Sequence, residues 1–382
     1  MDFIANDFKS LNIGAMTSAS DDASLSENII DLSLGDHDIN TDKRVMESAC
    51  NNKYIKHTMY THPLGDELFR NEIIDFCKNK YKNTLNKNQI MATVGAGHGL
   101  YLALKSIINK NDEIILIAPY YPAYIDQINL VKAKLVEVNT KQEDGYIPSI
   151  EDIELKINKN TKAIIINSPC NPTGSIYPKT LLEEIYKLSR KYNFMILSDE
   201  IYTTFVYGKN KFVSMLEVDK KLTNTAIFRS MSKDYAMTGW RIGFIIADKK
   251  LINVCRVIND AITYSAPTIG QNGSIEAVKL SDEIGSNLND IYRKRVNYVY
   301  NRLSNIEKLR VIKPQGGIYL FVDVTKTNLD GNKLTKILVE NKVLVLPGEI
   351  FGTEYKNYIR ITCNKNLEIL KSAMDIVEQV CT

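Results

Sequence analysis

The sequence lacks any long apolar run. No stretch of its 382 residues approaches the ~20 consecutive apolar residues that a membrane-spanning helix needs. The segment from Met1 to Asn12 alternates charged, polar and apolar side chains, so it does not resemble a secretory signal. We therefore expect no membrane partner and a location in the cytoplasm.

Composition also speaks against two classes of site. No Cys-x-x-Cys pair occurs among the six cysteines, which favours free thiols over a disulfide framework or a zinc site. Lys and Arg total 48 and Asp and Glu total 45, and the two signs are scattered, so no basic block suits nucleic acid. We expect neither a metal nor a nucleic acid partner. The cysteines are Cys50, Cys77, Cys170, Cys255, Cys363 and Cys381.

What the sequence does contain is a repeated strand–loop–helix pattern between residues 113 and 247, which is typical of a parallel α/β sheet. A helical pattern from Pro178 through Asn193 predicts a crossover helix, and another from about Asp290 to Ile306 predicts a bridging helix. GGIYLFVDV and KVLVLPG predict two later strands. The five predicted sheet strands are Glu113–Ala118, Lys162–Asn167, Phe194–Leu197, Thr225–Phe228 and Ile242–Ala247.

Polar and aromatic residues follow the first four of these strands at once. The segments are PYYPAY, SPCNPTG, SDEIY and RSMSK, in chain order. In open α/β sheets, ligands bind outside the carboxyl ends of the strands. The four segments are therefore expected to converge on one crevice.

Three motifs resemble those of class I/II pyridoxal-phosphate-dependent aminotransferases, the aspartate aminotransferase superfamily. They are NPTG at Asn171–Gly174, SDEIY at Ser198–Tyr202 and SMSKDYAMTGWRIG at Ser230–Gly243, in matching order and spacing. The resemblance runs from LSLGDHD, beginning at Leu32, to YIRIT, beginning at Tyr358. It implies the fold-type-I architecture: a large α/β domain with a mostly parallel central sheet flanked by helices, and a smaller α+β domain formed by both termini.

The resemblance also divides the chain. We assign residues 1–39 to an N-terminal arm and part of the small domain, 40–285 to the large cofactor-binding domain, and 286–382 to the C-terminal small domain with its bridging helix. The length of the chain fits one large and one smaller domain. The family normally forms homodimers with shared active sites, so a homodimer is expected.

For the cofactor, pyridoxal 5′-phosphate, the resemblance implies a set of catalytic roles. Lys233 matches the lysine that condenses with the cofactor aldehyde and moves the substrate proton. Asp199, rather than its neighbour Glu200, matches the carboxylate that pairs with the pyridine nitrogen. Asn171 and Tyr202 match the residues that donate hydrogen bonds to the phenolic oxygen.

Other matched residues are expected to bind the phosphate of the cofactor or to stack on its pyridine ring. Backbone N–H groups at a helix start and a guanidinium both suit a phosphate. Tyr121, one of three tyrosines in PYYPAY, is expected to stack on the pyridine ring. The implied phosphate ligands are Ala96, Gly97, His98, Ser230, Arg241 and, from a partner subunit, Tyr60.

The substrates implied are an amino acid and a 2-oxo acid, which share an α-carboxylate. Arg360 in YIRIT matches the arginine that grips this carboxylate, with Asn171 and the backbone at Gly35 close to it, although Gly35 could also simply serve a turn. Gly97 stands where family members that prefer acidic substrates carry a lysine, and LSLGDHD lacks a proline that is common in that loop. Acidic, aromatic and neutral side chains therefore all stay open.

We expect an aminotransferase that works by a ping-pong mechanism. On the same scaffold, a carbon–sulfur β-lyase or a cyclase-like synthase stays open, because fold does not fix function. A cofactor-sensing regulator without turnover is a weaker alternative, since the motifs begin by Leu32 and leave no room for a DNA-binding domain. A dinucleotide-dependent dehydrogenase is weaker still, because VGAGHGL lacks the third glycine of the dinucleotide motif.

Overall fold

A computed structural model describes Phe3 and residues 28–51 and 59–382, so most of the predicted N-terminal arm lies outside the described residues. The strands are β1 (Ile30–Asp31), β2 (Ile90–Thr93), β3 (Glu113–Ala118), β4 (Lys134–Asn139), β5 (Thr161–Asn167), β6 (Met195–Asp199), β7 (Thr225–Ser230), β8 (Gly243–Ile246), β9 (Arg310–Val311), β10 (Tyr319–Asp323), β11 (Val343–Leu344), β12 (Leu346–Pro347) and β13 (Tyr358–Thr362). The helices are α1 (Lys43–Ala49), α2 (Glu67–Tyr81), α3 (Gly95–Ile107), α4 (Ala123–Leu130), α5 (Ile150–Lys156), α6 (Lys179–Tyr192), α7 (Met231–Asp234), α8 (Lys249–Asp260), α9 (Thr268–Lys279), α10 (Ser281–Ser304), α11 (Gly331–Glu340) and α12 (Leu367–Cys381).

The large sheet has seven strands in the order β2-β8-β7-β6-β5-β3-β4. The pairs from β4 to β7 are parallel, as the sequence predicts, whereas β8 is antiparallel to both neighbours. The prediction that Ile242–Ala247 joins the sheet is confirmed, but its placement among parallel strands is wrong. The link from β7 to β8 holds only the four-residue helix α7 and a single 3₁₀ turn. A parallel connection usually runs through a helix longer than this one.

Two strands of this sheet are missed by the sequence pattern. β2 has only four residues, and β4 lies at the edge, where Lys134 and Glu137 interrupt the apolar run. An edge strand is covered on fewer sides than a central one, so its apolar signal is weaker. Both missed strands flank the central strands whose carboxyl ends carry the motifs.

The crossover helix α6 is confirmed. Pro178 is its N-cap residue, and Asn193 ends it in the left-handed conformation, with φ 56°. Leu181, Leu182 and Ile185 are buried on its sheet-facing side. This apolar stripe at helical spacing holds the helix on the sheet.

The bridging helix α10 is longer than predicted, since it begins at Ser281 and not near Asp290. Ile284 and Leu288 extend the buried face of Tyr292 at four-residue spacing, but polar neighbours obscure that periodicity in the sequence. The predicted domain boundary between residues 285 and 286 falls inside this helix. The domain boundaries themselves stay a prediction.

The smaller domain combines segments from both ends of the described chain. Its antiparallel sheet has the order β12-β13-β10-β9, and β1 pairs in parallel with β11, joining Ile30 to Val343. Through these pairings, the loop after β1 and strand β13 both reach the carboxyl ends of the large sheet. Across the described ranges, no helix is at once long and apolar enough to cross a bilayer.

Candidate active site

A cavity of about 280 Å³ lies at the carboxyl ends of β5, β6 and β7. Each of the four predicted strand-end segments contributes to its wall, so their predicted convergence is confirmed. The sequence-predicted site residues that line the cavity are Gly35, Ala96, Gly97, Tyr121, Asn171, Asp199, Tyr202, Ser230, Lys233, Arg241 and Arg360.

Asp199 is the last residue of β6, and its carboxylate is buried in the cavity wall. Oδ2 accepts a hydrogen bond of 2.6 Å from Tyr124 Oη, while Oδ1 has no partner among the residues that the structure describes. Burial raises the pKa of Asp199 to about 7, against a lowering by the Tyr124 hydrogen bond. A cationic N–H group in the cavity would satisfy Oδ1 and favour the ionised carboxylate.

Glu200, the competing carboxylate in the sequence, points away from this cavity. Its Oε2 lies 2.8 Å from Arg229 Nη2 and accepts a hydrogen bond from Ser214 Oγ. Successive side chains at the end of a strand point to opposite faces, so only one of two neighbouring acidic residues can face the cavity. The geometry favours Asp199 over Glu200 as the ligand-facing group.

Lys233 lies in the short helix α7, with its amine inside the cavity. Nζ donates a hydrogen bond to the backbone oxygen of Gly35. Burial lowers the pKa of Lys233 to about 8, and the nearby charges of Arg360 and Arg241 contribute to the lowering. The neutral amine, which is the nucleophilic form, is therefore easily reached.

Arg360 is held on β13 as a fully buried cation. Nη1 donates to Asn171 Oδ1 at 2.9 Å, Nη2 donates to the backbone oxygen of Ser33, and Nε has no partner within the described ranges. The guanidinium lies 4.5 Å from the ring centroid of Tyr319. Burial lowers the pKa of Arg360. A buried guanidinium without an opposite charge beside it is suited to bind an anion.

Gly35 is a glycine because of close packing. A Cβ at this position would clash with the hydroxyl of Tyr319 and would lie 3.5 Å from Lys233 Nζ. Its backbone is not in the left-handed region that a tight glycine turn uses. The close approach of backbone to the cavity is therefore the better explanation of this residue.

The part of the cavity that is lined by Ala96, Gly97, Ser230 and Arg241 is suited to bind an anion. Ala96 and Gly97 lie in the first turn of helix α3, whose N-cap residue Val94 provides no side-chain cap, and the first N–H groups of a helix have no partner within the helix. Gly95 precedes them with φ +75°, and a Cβ there would lie 2.8 Å from Arg241 Nη2. Ser230 lines the same wall. This region combines a helix N-terminus, a guanidinium and a hydroxyl.

A comparison with known protein families identifies the family of this chain. The family model described as "Aminotransferase class I and II" matches residues 27–377. The chain belongs to this family. Its fold is the fold-type-I architecture, and it is an enzyme that transfers amino groups.

Individual relatives of this aminotransferase agree with the family match. An aspartate aminotransferase of Pyrococcus horikoshii is 32% identical over 361 residues, covering 94% of this chain and 92% of that protein. Aromatic-amino-acid aminotransferase 2 of Thermococcus litoralis is 31% identical over 93% of this chain and 92% of that protein. The structure of aspartate aminotransferase from Thermus thermophilus with maleate has a TM-score of 0.93 at 26% identity, with full coverage of both chains.

Class I and II aminotransferases use pyridoxal 5′-phosphate, and the cavity of this aminotransferase fits that group. The unpaired Asp199 Oδ1 suits a protonated ring nitrogen, and the low-pKa amine of Lys233 suits an aldehyde. The open start of α3, with Arg241 beside it, suits a phosphate. Each chemical end of the cofactor has a matching group in one cavity.

Two sequence-predicted cofactor ligands do not line the cavity of this chain. The side chain of His98 turns back to the residue before helix α3, where Nδ1 accepts a hydrogen bond of 3.1 Å from the backbone nitrogen of Val94, and the expected phosphate contact of His98 stays a prediction. Tyr60 is 84% exposed, and its ring packs edge-on against Tyr264 at 5.2 Å. A tyrosine supplied to a partner's cavity has to be exposed in the single chain, so its assignment stays a prediction.

Sequence reasoning missed several residues that line the cavity. Tyr124 lies in the first turn of α4, within the PYYPAY segment that the strand-end position already marks. Asn167 is the last residue of β5, a position that strand-end logic marks. Tyr319 shares a hydrogen bond of 2.7 Å with Tyr202, and no sequence signal links them. The missed lining residues with polar side chains are Tyr124, Gln127, Asn167, Ser232, Thr238 and Tyr319.

Proposed function

We propose that this aminotransferase carries pyridoxal 5′-phosphate on Lys233 and moves an amino group between an L-amino acid and a 2-oxo acid in two half-reactions. One observation carries the proposal: the low-pKa amine of Lys233 shares a cavity with a carboxylate oxygen of Asp199 and a guanidinium nitrogen of Arg360, neither of which has a partner in the part of the chain that the structure describes. These groups match the aldehyde, the ring nitrogen and the substrate carboxylate.

When bound, the cofactor supplies an electron-accepting ring that stabilises negative charge at the substrate Cα. Asp199 Oδ1 would hold the ring nitrogen of the cofactor and favour its protonated form. Asn171 and Tyr202 would donate hydrogen bonds to the phenolic oxygen. Lys233, as a free neutral amine, would remove the proton from the substrate Cα, and a pKa of about 8 makes that neutral form available near neutral pH.

Substrate orientation falls to Arg360, with Asn171 and the backbone of Gly35. Arg360 receives the α-carboxylate on its free Nε edge, while its bonds to Asn171 and Ser33 fix the plane of the guanidinium. Tyr121, at the cavity wall and edge-on to Tyr124 at 5.5 Å, covers the ring face and excludes water.

We also propose a homodimer in which Tyr60 completes the phosphate site of the partner subunit. An exposed apolar cluster supports this: Met59 is 71% exposed, Tyr60 84% and Ile269 54%, with Tyr264 packed against Tyr60. Such a cluster is stabilised when a second surface covers it. We expect sedimentation to show a dimer and Tyr60→Ala to weaken cofactor binding. The cytoplasmic location expected from the sequence stays a prediction.

A single mixing experiment tests the reaction. The protein loaded with pyridoxal 5′-phosphate receives one amino acid and no 2-oxo acid, and the visible absorbance and the released products are followed. An aminotransferase stops after one half-turnover, whereas a β-lyase releases pyruvate and ammonia continuously. Lys233→Ala should give neither reaction and no visible band that borohydride bleaches. Normal multiple turnover by that variant would contradict the assignment.

The substrate range is tested by the same titration with a panel of donors. Relatives carry the names aspartate aminotransferase and aromatic-amino-acid aminotransferase, so both acidic and aromatic donors belong in the panel. Gly97 offers no side chain for an acidic substrate, and tyrosines line much of the cavity. We propose that aromatic or neutral donors convert the bound cofactor at least as well as aspartate does.

A further inference from the structure

A second cluster of charges lies directly behind the cavity. We name it the arginine network and define it as Glu200, Thr203, Arg229 and Asp234. Its members are sequence neighbours of cavity residues, and their side chains turn to the opposite side of the backbone. The neighbouring pairs are Asp199 with Glu200, Ser230 with Arg229, and Lys233 with Asp234, where the first of each pair lines the cavity.

Arg229 is the centre of this network. Nη2 lies 2.8 Å from Glu200 Oε2 and donates to Tyr81 Oη at 2.8 Å, and Nη1 donates to Thr203 Oγ1 at 3.1 Å. The guanidinium also lies over the rings of Tyr81 and Phe212, 5.2 and 5.5 Å from their centroids. One planar group thus fixes several directions at once, which a lysine ammonium could not do.

The network joins two segments that are far apart in sequence. Glu200 also accepts hydrogen bonds from Met215 N and Ser214 Oγ, both at the start of a 3₁₀ turn. Thr203 Oγ1 donates to Asp234 Oδ2 at 2.6 Å, and the backbone nitrogen of Thr204 donates to Oδ1 at 3.0 Å. The segment after β6 is therefore bonded to the end of β7 through Arg229, and to helix α7 through Asp234.

Burial of the charged groups in the arginine network costs free energy, so their presence calls for a structural explanation. Glu200, Arg229 and Asp234 are each at least 94% buried, so three ionisable groups have left water. Apolar side chains of similar volume often give equal or greater stability than such buried ions, whereas directed charge-assisted bonds hold one geometry. The network is therefore better explained by positioning than by stability.

We propose that Arg229 is a positioning residue, which locks the segment carrying Asp199 and Tyr202 to the segment carrying Lys233. The inference rests on the proposed function, because it concerns how those groups face a bound cofactor. Arg229 itself does not line the cavity. It acts through its neighbours: small shifts of either segment would change the angle between the carboxylate and the amine, and reactivity falls steeply with such misplacement.

The test compares Arg229→Met and Arg229→Lys with the wild-type protein, each loaded with pyridoxal 5′-phosphate. For Arg229→Met we expect a loss of cofactor affinity of about tenfold or more, and a fall in kcat of similar size with KM within about twofold. Circular dichroism of the visible band, per bound cofactor, should fall by more than about half, because it reports a fixed orientation. For Arg229→Lys we expect values of cofactor affinity, kcat and dichroism between those of the wild-type protein and those of Arg229→Met.

Arg70→Met is the matched control. Arg70 is a buried arginine that donates to the backbone oxygens of Gly65 and Lys87, away from the cavity. It should lower Tm and leave the dichroism, the cofactor affinity and kcat unchanged. If Arg229→Met fails to fold, the double variant Glu200→Gln/Arg229→Met removes both charges of the ion pair and should show the same losses.

The outcomes separate the two proposals. A wild-type protein that forms no visible band with the cofactor contradicts the proposed function. A wild-type protein that does form the band, with an Arg229→Met or double variant that matches it in dichroism, affinity and kcat, overturns the positioning role.

Discussion

The charges in the cavity and those in the arginine network differ in whether an ion pair joins them. Behind the cavity, Glu200 has Arg229 within 2.8 Å, and Asp234 accepts two hydrogen bonds. Inside the cavity, Asp199 Oδ1 and Arg360 Nε are buried without partners among the described residues. Asp199 and Glu200 are neighbours at the end of β6, so for these two residues the difference comes from which face each one occupies.

The charges of the arginine network shape the site from behind, whereas those of Asp199 and Arg360 are available to bind a ligand. A buried charge without an opposite charge beside it costs free energy, and inside a cavity such a group is suited to bind a ligand that supplies the missing bond. The ion pair between Glu200 and Arg229 lies directly behind cavity groups that have no such ion pair among the described residues.

Stability should separate the two sets most strongly. Glu200→Gln leaves the buried Arg229 guanidinium without its counter-ion, so we expect a destabilisation of about 3–5 kcal/mol. Asp199→Asn removes a carboxylate that has no counter-ion, so we expect a change below about 1 kcal/mol. Urea unfolding midpoints of the cofactor-free variants measure both. Equal losses of unfolding free energy in the two variants would contradict the distinction between the arginine network and the cavity charges.

Removing the unpaired cation should affect substrate use more than folding. Arg360→Met deletes the charge-assisted bonds to the substrate carboxylate, which are worth about 3 kcal/mol in total, so kcat/KM should fall by roughly 100-fold. Cofactor binding should persist, because the assigned ligands of the cofactor are other residues. Steady-state kinetics with the best donor measure the effect. A variant with wild-type kcat/KM would show that the substrate carboxylate binds elsewhere.

Sequence reasoning located residues at the cavity where contiguous stretches of sequence mark them. The strand ends after β3, β5, β6 and β7 were predictable, because apolar runs followed at once by polar residues mark buried strands that end at a ligand. Asp199, Lys233 and Arg360 followed from motifs that extend over contiguous residues. All three line the same cavity.

What sequence could not provide was contact between distant segments. Tyr319 meets Tyr202, and Arg229 meets Tyr81, across separations that no periodicity encodes. The reversed direction of β8 was missed for a related reason, since direction depends on how the short link through α7 folds. The orientation of His98 also depends on a bond within its own helix turn.

The lowered pKa of Lys233 predicts how cofactor capture depends on pH. A pKa of about 8, below the ordinary value, means that the neutral amine increases about tenfold per pH unit up to pH 8 and then levels. The rate at which the visible band appears should follow this curve. A small primary amine in place of the protein gives the cofactor's own dependence as a control.

Arg360→Met sharpens the same measurement. The Arg360 charge helps to lower the pKa of Lys233, so its removal should raise that pKa and move the plateau to higher pH. An unchanged curve would mean that the Arg360 charge does not contribute to the pKa of the amine.

The smallest effect should come from Tyr124, which partners the other oxygen of Asp199. Its hydroxyl donates to Oδ2 at 2.6 Å and helps to lower the pKa of a carboxyl that burial raises, so Tyr124→Phe should raise that pKa further. Loss of one such bond is worth about 1 kcal/mol, which corresponds to a fall in kcat of about fivefold. Tyr120→Phe is the matched control, because its hydroxyl donates to Glu137, outside the cavity. If the two variants lose activity equally, Oδ2 needs no partner, and the division between paired and unpaired charges does not extend within a single carboxylate.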